Sequence, residues 1–201
     1  GGLTAAELNA GALDEGAIAL VPRLPNLHTL TLQNVRAADG SADAVMALQL
    51  PKLRSLRVRG STADVARRLP AATFAQHLTE LDASGYGIPG EQIARLLSLP
   101  RLEVFKTTIG RGDAALKDGQ HASSKLRELH LTMFAESGAV NVASWFPQLP
   151  ALRALTLQGS IDTRIFLAVA NCTQLTQLNL WVCHPPSVLI RGEPRSISDQ
   201  R

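Results

Sequence analysis

Aromatic residues make up only 4% of this 201-residue chain, so any core it builds must be aliphatic. Cysteine is scarcer still, and two thiols, Cys172 and Cys183, exclude a disulfide scaffold. No apolar run reaches the roughly 18 residues that a membrane-spanning helix requires. The first residues do not follow the charged, apolar and small-residue succession of a secretory leader. They read Gly1-Gly2 with no Met, which suggests a fragment or the remnant of a tag. Charge is sparse as well. At 18% charged residues, 20 Lys+Arg against 17 Asp+Glu leave +3, too small an excess to predict nucleic-acid binding. What the chain does have is 45% hydrophobic residues, enough to bury a core and to exclude disorder on composition. Its length suits one domain or one compact array, at roughly 100–200 residues per domain.

Much of the aliphatic content is Leu, and the leucines are periodic. The pattern Leu-x-x-Leu-x-Leu recurs at Leu27/Leu30/Leu32/Val35, Leu53/Leu56/Val58, Leu78/Leu81/Ala83 and Leu102/Phe105/Thr107. It continues at Leu126/Leu129/Leu131/Phe134, Leu152/Leu155/Leu157 and Leu175/Leu178/Leu180/Cys183. First leucines at 27, 53, 78, 102, 126, 152 and 175 give spacings of 26, 25, 24, 24, 26 and 23. These lie inside the 20–29-residue window of leucine-rich repeats. The copy at Leu102 is the poorest, with Phe105 and Thr107 at leucine positions.

Over residues 3–184 the chain therefore resembles a leucine-rich repeat protein. The resemblance implies an α/β solenoid, curved, with parallel strands on the concave face and helices on the convex face. The last two leucines of each copy lie two residues apart and share one face of a strand. Such a strand is too short to be stable alone, but stacked copies fuse their leucines into one core. The rest of each repeat must return the chain, commonly as a helix. Helices are expected over Ser41–Leu48, Pro89–Leu97 and Asp162–Ala170. Leu24-Pro25, Leu50-Pro51, Leu99-Pro100 and Leu149-Pro150 precede four strands, where proline ends a helix and favours extended backbone.

Asn9 with Leu13, Gly16, Ala17 and Leu20 resembles the return half of ribonuclease-inhibitor-type repeats. Counting back 26 residues from Leu27 starts that copy at Gly1 and puts Thr4 and Ala6 where leucines belong. It reads as a degenerate cap or as the interior of a longer array. Cys172 and Cys183 bracket the last copy as in the cysteine-containing subtype common among F-box substrate receptors. Both also read as buried, reduced small hydrophobes, which points to an intracellular chain. The domain reading is an array over 1–184 and a cap or tail over 185–201.

The residues between the leucines face outward. The central column is Thr31, Arg57, Asp82, Lys106, His130, Thr156 and Asn179. One flank runs Thr29, Ser55, Glu80, Val104, Glu128, Ala154 and Gln177, and the other Gln33, Arg59, Ser84, Thr108, Thr132, Gln158 and Trp181. Strands about 4.8 Å apart make this face roughly 29 Å wide, enough for a helix or extended segment of a partner. Asp82 between Arg57 and Lys106 reads equally as a salt ladder or as a contact group. Arg59 has only Gln33 and Ser84 beside it and is the better contact candidate. Trp181 is a hot-spot type of residue at the edge, or packs under a cap. The partner-binding candidates are thus Arg57, Arg59, Asp82, Lys106, His130 and Trp181.

The basic run Lys52, Arg54, Arg57, Arg59, Arg67 and Arg68, opposed only by Asp64, is the one place for an acidic partner or nucleic acid. A solvated face is the plainer reading, because no aromatics interleave to stack on bases. His28, His77, His121, His130 and His184 form no short-range metal pair. No nucleophile elbow, phosphate loop or dinucleotide fingerprint occurs. Gly110-Arg111-Gly112-Asp113 reads as a turn in a polar convex loop over 110–124 rather than an adhesion signal, and the sequon Asn171-Cys172-Thr173 sits at a strand entry. No cofactor, metal or membrane is expected. The function expected is a non-catalytic scaffold that binds another protein. The alternatives are the substrate-recognition part of a ubiquitin ligase or effector, or a structural subunit of a ribonucleoprotein or cytoskeletal assembly.

Overall fold

The computed structural model describes residues 2–9, 24–33, 41–60, 62–110, 123–134, 142–161 and 163–182. Val35, Cys183, the histidines 121 and 184, the 13–20 segment, the Arg-Gly-Asp triplet and the 185–201 tail lie outside them. The described residues form an α/β structure around one eight-stranded sheet. Its strands are β1 (Ala5–Asn9), β2 (Thr29–Gln33), β3 (Ser55–Arg59), β4 (Glu80–Ile88), β5 (Val104–Ile109), β6 (Glu128–Met133), β7 (Ala154–Gly159) and β8 (Gln177–Val182). They are laid down in chain order, and every neighbouring pair is parallel.

Parallel neighbours in chain order need a crossover between each pair, and the crossovers carry the helices. These are α1 (Ser41–Met46), α2 (Thr62–Arg68), α3 (Gly90–Leu97) and α4 (Thr163–Ala170). Three of the four were expected. In α3, Ile93, Leu96 and Leu97 are buried on one stripe, while Glu91 and Arg95 complement the helix dipole at its two ends. Short 3-10 turns complete other returns, among them Phe146–Gln148, which follows the fully buried Trp145.

Register follows the leucine alignment. Leu30, Leu56 and Leu81 are lateral partners, as are Leu81, Phe105, Leu129, Leu155 and Leu178. All of these except Leu178 are at most 1% exposed. They join Val45, Val65, Ile93, Ile165 and Val169 of the helices in one continuous cluster, so the helices cover the leucine face of the sheet. Each fully buried leucine is worth about 1.5–3 kcal/mol of hydrophobic stabilisation.

A turn recurs ahead of the strands. Leu27, Leu53, Leu78, Leu102, Leu126, Leu152 and Leu175 donate their backbone N–H to the carbonyls of Leu24, Leu50, Ala75, Leu99, Ser123, Leu149 and Cys172, at 3.0–3.3 Å. Proline in the Leu-Pro pairs occupies the second position of this turn, which its fixed φ favours. Its role is thus to shape the turn as well as to end the preceding helix. Ser123, expected in a polar loop, is instead buried at the turn's first position, where its hydroxyl bonds Leu102 O at 3.1 Å. One step further along, the carbonyls of Thr4, His28, Arg54, Thr79, Glu103, Arg127 and Arg153 each accept two N–H groups from the next repeat, at 2.8–3.1 Å. These shared carbonyls lock each turn to its neighbour and set the register before the strands begin.

Two expectations are corrected. The first copy starts at Leu3 and not at Gly1, because Ala5 pairs with Thr29 and Ala6 with Leu30, an offset of 24 residues. Asn9 therefore ends a strand and does not open a return segment. Phe134, placed in the core pattern, is 58% exposed, because the buried alternation of β6 ends at Met133.

Candidate interaction face

The central outward column is assembled as the spacing predicts, whereas Thr108 of the flanking column, expected to face outward, is buried. Thr31, Arg57, Asp82, Lys106, His130, Thr156 and Asn179 are lateral partners in succession, preceded by Glu7. This is the face away from the leucine core, and it is polar along its length. One break occurs. Pairing of β3 with β4 stops at Arg57–Asp82, and β4 leaves its ladder with β5 after Ala83 and returns at Ile88. Ser84 is therefore not the lateral partner of Thr108 or of Arg59. The return is tight: a Cβ on Gly87 would lie 2.5 Å from Gly110 Cα, which makes glycine the fitting residue there.

Charge pairing across the face differs from the expected ladder. Arg57 pairs with Glu80, Nη2 to Oε1 at 3.6 Å, and not with Asp82. The long guanidinium reaches the diagonal neighbour, whose other oxygen accepts the Ser55 hydroxyl at 3.0 Å. Asp82 has a short side chain, and it turns along its own strand to accept the Ser84 N–H at 3.1 Å and the Ser84 hydroxyl. It thus caps the backbone where β4 departs from the ladder. His130 Nε2 meets Glu128 Oε1 at 2.6 Å. Gln33 donates to Glu7, and Asn179 to Thr156 Oγ1 at 3.4 Å.

Two cations stand outside this pairing. Among the described residues neither Arg59 nor Lys106 makes an ion pair. Lys106 lines a shallow depression of about 170 Å³ with Ser84, His130, Thr132, Thr156 and Gln158. The structure thus brings Lys106 and His130 together. It leaves Arg57 and Arg59 on β3, and Trp181, 66% exposed, on the last strand. Sequence reasoning missed Thr132, Thr156 and Gln158 as lining groups, although all three stand in the outward columns.

The basic run 52–68 does not form one patch. Arg57 and Arg59 lie on the outward face, whereas Arg67 and Arg68 belong to α2 on the opposite side of the sheet. Arg68 is paired with Asp43 of α1, and Lys52 donates to Asn26 Oδ1 at 2.7 Å. Elsewhere, no group of three or more His, Cys, Asp or Glu side chains suited to a metal occurs among the described residues. No helix among them is long and apolar enough to cross a membrane. Burial raises the Cys172 thiol above its ordinary pKa, so it stays protonated and weakly nucleophilic near neutral pH. Neither a protein-family model nor a curated protein matches the chain.

Proposed function

We propose that the chain is a leucine-rich repeat solenoid with no catalytic role, whose outward sheet face binds a partner protein. The observation that carries this reading is the row of in-register polar side chains on that face, where among the described residues Arg59 makes no ion pair and neither does Lys106, which lines a shallow depression. Unspent cations among satisfied neighbours favour contact with a partner bearing acidic groups. The rest of the chemistry supports a scaffold. Arg57, Asp82 and His130 are each held by a neighbour, and the partly buried Cys172 thiol has a raised pKa. A reducing compartment suits that free thiol.

The test is crosslinking mass spectrometry in the native source, followed by binding of the recovered partner to variants. Arg59→Glu and Lys106→Glu should each weaken binding about tenfold, or about 1.4 kcal/mol, with no change in melting temperature. Arg95→Glu, on the exposed side of α3, should leave binding unchanged. Full binding by both face variants together with loss in Arg95→Glu would overturn the proposal.

A further inference from the structure

The turns ahead of the strands gather charge along one edge of the sheet. Before β3 to β7 the third turn position holds Lys52, His77, Arg101, Lys125 and Ala151, and Arg54, Thr79, Glu103, Arg127 and Arg153 follow the turn's last leucine. The doubly accepting carbonyls of that second set hold successive repeats in line, so both sets run as columns along the edge where the strands begin. Lys52, Arg101, Lys125, Arg127 and Arg153 are exposed, and Arg54 is half-buried. These six cations against Glu103 alone make the edge +5, whereas the whole chain carries +3. The charge that composition dilutes is concentrated here.

Among the described residues none of the six makes an ion pair. Three of them donate to neutral groups of the turns: Lys52 to Asn26 Oδ1 at 2.7 Å, Arg54 Nη1 to the carbonyls of Pro51 and Leu53 at 3.3 and 3.0 Å, and Arg153 Nη1 to the Gln174 carbonyl at 3.1 Å. Such bonds hold the side chains at the edge without neutralising them. The acidic residues one position further in on β4 and β6, Glu80 and Glu128, are engaged with Arg57 and His130.

We propose that this edge binds the phosphodiester backbone of a double-stranded nucleic acid. From the turn before β3 to the turn before β7, four strand spacings span about 19 Å. A duplex carries one phosphate charge per about 1.7 Å of axis, so that length offers more phosphates than there are cations to meet them. The make-up of the edge selects this occupant. A protein interface has an apolar centre, and no large exposed apolar side chain stands in these turns. The same lack leaves nothing to enter a bilayer. Single strands are held by stacking on aromatics, and these turns carry no Phe, Tyr or Trp. Interfaces with duplexes are instead polar and strongly positive, with Lys and Arg on phosphate oxygens. This inference does not depend on the partner-binding reading of the outward face, and its test needs no protein partner.

The experiment is fluorescence anisotropy of the full chain with labelled RNA and DNA duplexes, titrated with salt. Binding is expected at about micromolar affinity or tighter in 50 mM salt, falling about a thousandfold by 200 mM, with a log–log slope of about −4 to −5. Binding of both duplexes assigns the shared backbone, and binding of one alone assigns the helix form; each supports the proposal. Arg101→Gln, Lys125→Gln and Arg127→Gln should each reduce the slope by about one. Together they should weaken binding about a hundredfold or more, with the melting temperature unchanged. Arg164→Gln, at the start of α4 where the chain has left the far end of β7, should change neither slope nor affinity. No binding in 50 mM salt overturns the proposal, as does binding that the triple substitution leaves intact. Tighter binding of a single-stranded oligonucleotide, of polyglutamate or of phosphatidylserine vesicles also overturns it, since the occupant is then a single strand, an acidic protein or a membrane. Should the triple variant unfold, the single variants decide.

Discussion

Gly159 lies directly against the carbonyl of Met133, its register partner on the neighbouring strand. A Cβ at Gly159 would stand 1.8 Å from that oxygen, and the residue holds φ near +107°. Both the contact and the backbone favour glycine. Gly159→Ala should therefore destabilise the protein by about 1–3 kcal/mol or more, read as a lower denaturant midpoint with unchanged slope. A neutral substitution would mean that β7 ends differently.

Leu129 sits in the middle of the shared core with no exposed surface. Leu129→Ala should cost about 2–5 kcal/mol through lost burial and a residual cavity. Leu129→Asp should abolish cooperative unfolding, because it leaves an unpaired charge between Phe105 and Leu155 in the core. Cooperative melting of the Asp variant at the wild-type temperature would contradict the register.

The Arg57–Glu80 pair is partly exposed, with side chains 45% and 29% accessible. Solvent screening limits such a pair, so a double-mutant cycle on Arg57→Ala and Glu80→Ala should give a coupling below about 1 kcal/mol that fades with salt. The same cycle on Arg57 and Asp82 should give less coupling, since Asp82 is engaged by Ser84.

Burial raises the pKa of Cys172 in the folded chain relative to the unfolded one. The folded state then holds its proton to higher pH than the unfolded state does. Stability from this group is full below the unfolded thiol's pKa and is lost as pH rises through the folded value. Unfolding followed above pH 8 should show a falling stability that Cys172→Ala flattens. Equal slopes would assign the pH dependence elsewhere.

The order and register of the parallel sheet were legible in the sequence because the leucine spacing encodes lateral register directly. Once Leu56, Leu81, Phe105 and Leu129 are aligned, the outward columns follow from the alternation of a strand. The poor copy at Phe105 and Thr107 was no exception, since both are buried in their columns. The start of the array was misread because alanine occupies the column at Ala6, and counting back 26 residues missed the true offset of 24. Helix α2 went unseen because Thr62–Arg68 carries few apolar residues, Val65 and Ala66 being the buried ones among its described side chains. Ion pairing was not legible at all. Whether Arg57 meets Asp82 directly across the ladder or Glu80 on the diagonal depends on side-chain length and on the departure of β4 after Ala83, neither of which a spacing pattern records.

Of the candidate site, the central column of the outward face was legible. The structure adds where that face holds unspent charge, around Lys106 and His130, and where the basic run divides between the two sides of the sheet.

The partner-binding claim is tested most directly by site-specific photocrosslinking in the native source. A photoreactive amino acid placed at Lys106, on the outward face, is predicted to yield a discrete protein adduct. The same group at Arg95, on the helical side, is predicted to yield none. An adduct from Arg95 with none from Lys106 would contradict the account.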